Sequence, residues 1–143
     1  MTALPDPDYQ ADFYQFVASK RLFAWLIDSV LITLLASVAV VFTAFTGLFI
    51  WPLLYLVIGF IYRAVTIAAG SATWGMVIAG IELRDLSGRK LDGQGALLHT
   101  AGYSISMAFP VLQVISILMM LMSARGQGLT DTVLGTVMLN RRR

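Results

Sequence analysis

At 143 residues the chain is one domain's worth of protein, 58% hydrophobic and only 13% charged, against about 25% charged in an average soluble domain. A soluble fold this short cannot bury so much apolar surface, so lipid is the solvent the composition calls for. A net charge of +2 argues against nucleic acid as a partner, the absence of cysteine excludes disulfides and thiolate chemistry, and a single histidine excludes a His-rich metal cluster.

The N-terminal tail, residues 1–19, is polar and acidic, with Asp6, Asp8 and Asp12. The apolar run after Lys20 and Arg21 is too long for a signal-peptide core and lacks a small-residue cleavage pattern, which predicts a retained anchor. That first span is expected over 22–44. It would be about 34 Å long as a helix, enough for a hydrocarbon core of roughly 30 Å. After an uncharged link, a second span is expected over 48–69, with Pro52 near its start, where a missing N–H costs little. The two predict an antiparallel transmembrane hairpin.

Residues 70–95 differ in kind: charges gather there, and the glycines exclude a continuous helix. Residues 77–84 read as a short strand followed by turn residues, and 135–140 as its possible partner. A lone strand cannot face lipid with unpaired backbone groups, so the pair belongs outside the hydrocarbon. The third hydrophobic segment, 96–124, has Pro110 at its middle. It is too long for an ordinary crossing and too short for two, leaving a single kinked crossing or a re-entrant pair of half-helices.

Charge placement weighs these alternatives. With three crossings, Lys20, Arg21, Arg63, Arg84, Arg89 and Lys90 share one side, and Arg125, Arg141, Arg142 and Arg143 take the other. With a re-entrant segment all ten basic residues share one face, which the positive-inside rule makes cytoplasmic. The re-entrant form is preferred on that ground, with both termini on the cytoplasmic side. The fold class is thus an all-α membrane protein of one domain: a helical hairpin, a polar loop, a proline-broken third segment, a basic C-terminal segment at 125–143 and a small β-pairing.

Asp28 is the most informative residue, since a carboxylate inside a spanning helix costs about 2.5–3.5 kcal/mol on insertion scales and needs a partner or a wet cavity. Arg63 lies at similar depth in the facing helix and is its expected partner, with Arg21 nearer the headgroups. The bland alternative has Arg63 snorkelling to the interface and Asp28 simply hydrated. Asp131, after a glycine-rich break, reads as a turn or helix-cap residue. His99 reads as a structural histidine, and Leu118–Met122 as lipid-facing or packing surface. GSATWG lacks the ending of a phosphate loop, and no catalytic triad, metal set or cofactor site appears.

Several pieces taken together are similar to one family. Arg21 before helix one with Asp28 inside it, the stretch GSATWGMVIAGIELRDLSGRKLDG, and LTDTVLGTVMLNRR at the end resemble the RDD family, named for an arginine and two aspartates. The resemblance runs from Val17 to Arg142, and Arg21, Asp28 and Asp131 match the naming residues. The family's usual T-x-G-K stands here as Thr73-Trp74-Gly75-Met76, and a basic residue common before the last hydrophobic segment appears as His99. The resemblance implies a multi-pass protein of the bacterial inner membrane, in a family for which transport, including sodium–proton exchange, has been suggested.

Two functions follow as expectations. The first is a non-enzymatic accessory, assembly or scaffold component, in a membrane-protein complex or a homo-oligomer, whose polar residues Arg21, Asp28, Arg63 and Asp131 lock its fold. The second is a small cation or proton transporter using Asp28 as its intramembrane carboxylate.

Overall fold

The computed structural model describes residues 4–141; the C-terminal Arg142 and Arg143, counted above among the basic residues, lie outside the described residues. The first spanning helix, α1, is Val17–Phe42, and the second, α2, is Trp51–Gly70, entered through a 3₁₀ turn at Thr46–Ile50. At 1.5 Å per residue they are about 39 and 30 Å long, and both are apolar enough to cross a bilayer. The expected hairpin is present, but α1 starts earlier than residue 22 and ends before 44. The chain reverses at Thr43–Phe45, where Ala44 and Phe45 adopt positive φ.

One stripe of α1 is buried, Val17, Ala24, Asp28, Ile32, Ala36 and Val40, mostly at helical i, i+4 spacing. The opposite face leaves Leu22, Leu26, Val30, Leu34 and Val41 exposed, and α2 does the same with Leu53, Leu56, Ile61 and Val65. Such long apolar faces are stable only against lipid. The chain is a membrane protein.

Residues expected as a loop form more structure than that. Trp74–Ala79 is a short helix, α3, capped by the Thr73 hydroxyl and closed by Gly80 at φ 78°. The strand β1 follows at Ile81–Asp85 and pairs antiparallel with β2, Thr136–Asn140, in the register Ile81 to Asn140 and Asp85 to Thr136. The pairing of the two segments holds, but the strand starts at 81, not 77, because the left-handed turn at Gly80 ends a helix there. Before β2 the plan repeats: α6, Leu129–Leu134, is closed by Gly135 at φ 69° and leads into the strand. A six-residue helix, a glycine and a five-residue strand thus occur twice and meet across the sheet.

The third hydrophobic segment is two helices, α4 at Gly93–Ala108 and α5 at Pro110–Met122, bent by 116°. Pro110 forces Phe109 into an extended conformation and breaks the helix there. Helices of about 24 and 20 Å meeting at that bend leave the ends of the segment only about 24 Å apart, short of a hydrocarbon core of roughly 30 Å. The segment doubles back on itself, the geometry of a broken span or a re-entrant loop.

The packed core lies not between the spanning helices but at the end of the bundle where the sheet sits. There Ile67, Met76, Ile81, Leu83, Leu91 and Met138 cluster with the start of α1. Ser71 pins this cap together. Its carbonyl accepts from Leu83 N–H (2.8 Å), and its hydroxyl donates to Leu83 O and accepts from Leu91 N–H (2.9 Å). Ser71→Ala leaves two buried backbone groups short of a partner and is expected to cost about 1–3 kcal/mol. Thermal unfolding in detergent, followed by tryptophan fluorescence, checks it; an unchanged midpoint would show that the cap does not depend on this hydroxyl.

Candidate functional site

Two carboxylates with no exposed surface, Asp28 and Asp131, organise the polar interior. Asp28 lies in the buried stripe of α1, two helical turns beyond Arg21. Its Oδ1 accepts from the Tyr62 hydroxyl at 2.7 Å and from Gly75 N–H at 3.0 Å, and its Oδ2 accepts from the Thr73 hydroxyl at 2.6 Å. The same Thr73 oxygen accepts from Met76 N–H at 3.2 Å, so one hydroxyl caps α3 and binds the acid. Trp74 packs edge-on against Tyr62, with ring centroids 5.9 Å apart, and holds the phenol in place.

Arg63 does meet Asp28, as its depth in the hairpin predicts. The approach is an ion pair at 3.8 Å without a hydrogen bond, and the guanidinium lies over the Tyr103 ring of α4, 4.2 Å from its centroid. Trp25 Nε1 donates to the Tyr103 hydroxyl at 2.6 Å. The neutral donors Thr73, Gly75 and Tyr62 therefore do most of the solvating. These three are neutral groups that a search for charge partners does not reach, although Thr73 and Gly75 belong to the Thr73-Trp74-Gly75 motif. Met76 in place of a basic residue does not disturb this role, because the motif's polar groups face an anion of the chain itself.

Gly75 has a steric reason as well. A Cβ there would stand 2.3 Å from the Ala24 carbonyl oxygen and 2.6 Å from Asp28 Oδ1. Only glycine lets the α3 backbone come this close to α1.

Asp131, in α6 and outside the spanning helices, is held by four donors. Oδ2 accepts from Arg21 Nη1 at 2.5 Å and from Gly128 N–H at 3.1 Å. Oδ1 accepts from the Thr136 hydroxyl at 2.8 Å and meets His99 Nε2 at 3.1 Å. The helix-cap reading of Asp131 holds through Gly128, but the ion pair with Arg21 goes beyond it. The Arg21 side chain is 14% exposed and reaches across to the last helix. Burial by itself would raise the Asp131 pKa, yet the Arg21 charge and the His99 contact outweigh it and hold the carboxyl well below the usual carboxylate range.

The pattern is consistent. Arg21 and Asp28, seven residues apart on α1, each grip one copy of the helix–glycine–strand unit, Arg21 through Asp131 of α6 and Asp28 through Thr73 and Gly75 before and within α3. His99 and Asp131 offer two possible metal ligands, but a guanidinium occupies the other side of that carboxylate. No group of three or more His, Asp or Glu gathers among the described residues.

A family model described as RDD family matches residues 17–135, which contain both acids and every partner named above except Thr136. No curated protein and no solved structure matches the chain.

Proposed function

The chain belongs to the RDD family, and we propose that it is a non-enzymatic accessory, assembly or scaffold component of a complex in the bacterial cytoplasmic membrane. The observation that carries this reading is the saturation of its two buried acids. A transporting carboxylate must exchange protein partners for a cargo ion or proton during its cycle. Asp28 is 0% exposed and held by Thr73, Gly75 and Tyr62, and Asp131 by Arg21, His99, Gly128 and Thr136. Releasing either acid means dismantling the joint between α1 and the cap. Such residues serve a fixed shape, which suits a subunit that presents surface to others.

Orientation follows from charge. Lys20 bonds Asn140 of β2, Arg21 reaches Asp131 and the Gly126 carbonyl, and Arg84 and Arg141 both pair with Glu82 of β1. These basic residues gather at the cap end, whereas residues 43–50 carry no charge. We place the cap and both chain ends in the cytoplasm on that basis.

Sodium and proton flux in proteoliposomes containing the purified chain tests the reading. The expected result is flux no greater than in protein-free vesicles, unchanged by Asp28→Asn. Robust flux abolished by Asp28→Asn would make the chain a transporter and end this proposal.

A further inference from the structure

Arg63 is a charged side chain whose hydrogen-bonding capacity the protein itself leaves unmet. A guanidinium presents five N–H donors in a planar fork. Arg63 is 9% exposed at the side chain and sits about 10 Å from the C-terminal end of α2. Among the described residues its side chain has an ion pair at 3.8 Å and a ring contact, but donates no hydrogen bond. The Asp28 oxygen it faces already accepts from Thr73. None of its nitrogens is among the fully enclosed polar atoms lacking a partner, so the fork reaches the surface of the bundle, where an anionic acceptor can meet it.

The surroundings indicate which acceptor. The guanidinium lies over Tyr103, whose hydroxyl accepts from Trp25. Trp25 is 36% exposed on the outer surface of the bundle, and Trp74, against Tyr62, is 59% exposed. Indoles with one side open mark the headgroup level of a bilayer. A chain of contacts therefore leads from that level, through Trp25 and Tyr103, to the unmet donors. Lys20, one turn outside Trp25 on α1, adds positive charge at the same end. Basic positions between helices at the cytoplasmic side recognise phosphate headgroups.

We propose that Arg63, supported by Tyr103 and Trp25 where α1, α2 and α4 meet, binds the phosphate of an anionic phospholipid. The guanidinium edge donates to the phosphate oxygens, Tyr103 holds the guanidinium orientation, and Trp25 packs beside the glycerol region. Asp28 accepts from Thr73, Gly75 and Tyr62 and takes no hydrogen bond from Arg63, which it meets only as an ion pair at 3.8 Å. The site is separate from the accessory role and rests only on the cytoplasmic placement of the cap proposed above.

Native mass spectrometry of the full chain in neutral detergent, titrated with phosphatidylglycerol or phosphatidylcholine, tests this. The wild type should retain phosphatidylglycerol in preference. Arg63→Gln should weaken that binding at least tenfold, roughly the loss of one charge-assisted contact. Arg63→Lys, which keeps the charge without the fork, should fall between, and Arg89→Gln, at a side chain 81% exposed, should bind as wild type. Equal lipid retention by wild type and Arg63→Gln overturns the proposal. If Arg63→Gln fails to fold, Arg63→Lys decides, and wild-type binding by that variant overturns it equally. Displacement of the lipid by millimolar inorganic phosphate would assign the donors to a soluble anion, and no retained lipid would leave them to water; either result rejects a lipid site.

Discussion

Asp131→Ala is expected to lower stability by about 3–5 kcal/mol, the range for removing one partner of a buried ion pair. The cause is what stays behind. Arg21 remains largely buried with its counter-charge gone, and the Thr136 hydroxyl, Gly128 N–H and His99 ring lose their common acceptor. Thermal unfolding in detergent should show a much lower midpoint, and β2, which α6 leads into, should exchange its amide hydrogens faster. The pH dependence gives an independent check. Asp131 has a depressed pKa in the folded state, so its contribution is present above the unfolded value of about 3.9 and is lost as pH falls through the folded one. Wild type should therefore hold this contribution from neutral pH down to about pH 4 and lose it only in stronger acid. Asp131→Ala should lack that acid-side component. A variant with the wild-type midpoint and acid profile would show that the Arg21–Asp131 contact does not hold the fold.

Gly75→Ala is expected to be about as damaging through a different route. The added methyl would lie 2.3 Å from a backbone oxygen of α1, which cannot rotate away as a flexible side chain can. Either α3 moves off α1 or α1 bends. Overpacking of this kind costs about 1–3 kcal/mol. Lengthening the Gly75 N–H bond to Asp28 adds about 1.5–3 kcal/mol for a hydrogen bond to a charged group. Together they approach the loss from Asp131→Ala. Gly70→Ala is the control, since a Cβ there meets nothing within 4 Å. Equal melting of the Gly75→Ala and Gly70→Ala proteins would contradict the close approach of α3 to α1.

These two positions also mark how far the sequence could be read. The hairpin is legible because lipid imposes a length and an apolar composition that α1 and α2 both satisfy. The break at Pro110 is legible because proline acts locally on Phe109. The meeting of Asp28 with Arg63 follows from depth in an antiparallel pair, which needs only the helix rise. Helix α3 is hidden for a local reason: Val77, Ile78 and Ile81 are β-branched residues that read as strand formers, and the helix is too short for periodicity to reveal. The pairing of Arg21 with Asp131 is hidden for a global reason. It joins residues 110 positions apart, and no spacing rule along the chain brings them together. The resemblance to a family named for these residue types pointed to them, but their partners came only from the three-dimensional arrangement. The repeated helix–glycine–strand unit escapes notice because its copies share only a glycine and a length, not their side chains.

That repetition gives the polar residues a common purpose. The apolar faces of α1 and α2 commit the hairpin to lipid but leave its relation to the cap undetermined, since lipid-facing surface carries no directional information. Arg21 and Asp28 supply it, fixing the rotation of α1 relative to α3 and α6 through hydrogen bonds of defined geometry. Two directional contacts separated by two helical turns determine an orientation that apolar packing alone leaves loose.

A double-mutant cycle between Arg21 and Asp131 measures this lock directly. Arg21→Met, Asp131→Leu and the double variant are compared with wild type by unfolding in detergent. Each single change should be strongly destabilising, and the double variant should be more stable than the sum of the two predicts, with a coupling of about 2–3 kcal/mol. Additivity to within about 0.5 kcal/mol would mean that the two residues act independently, and the clamp between the first helix and the cap would not exist.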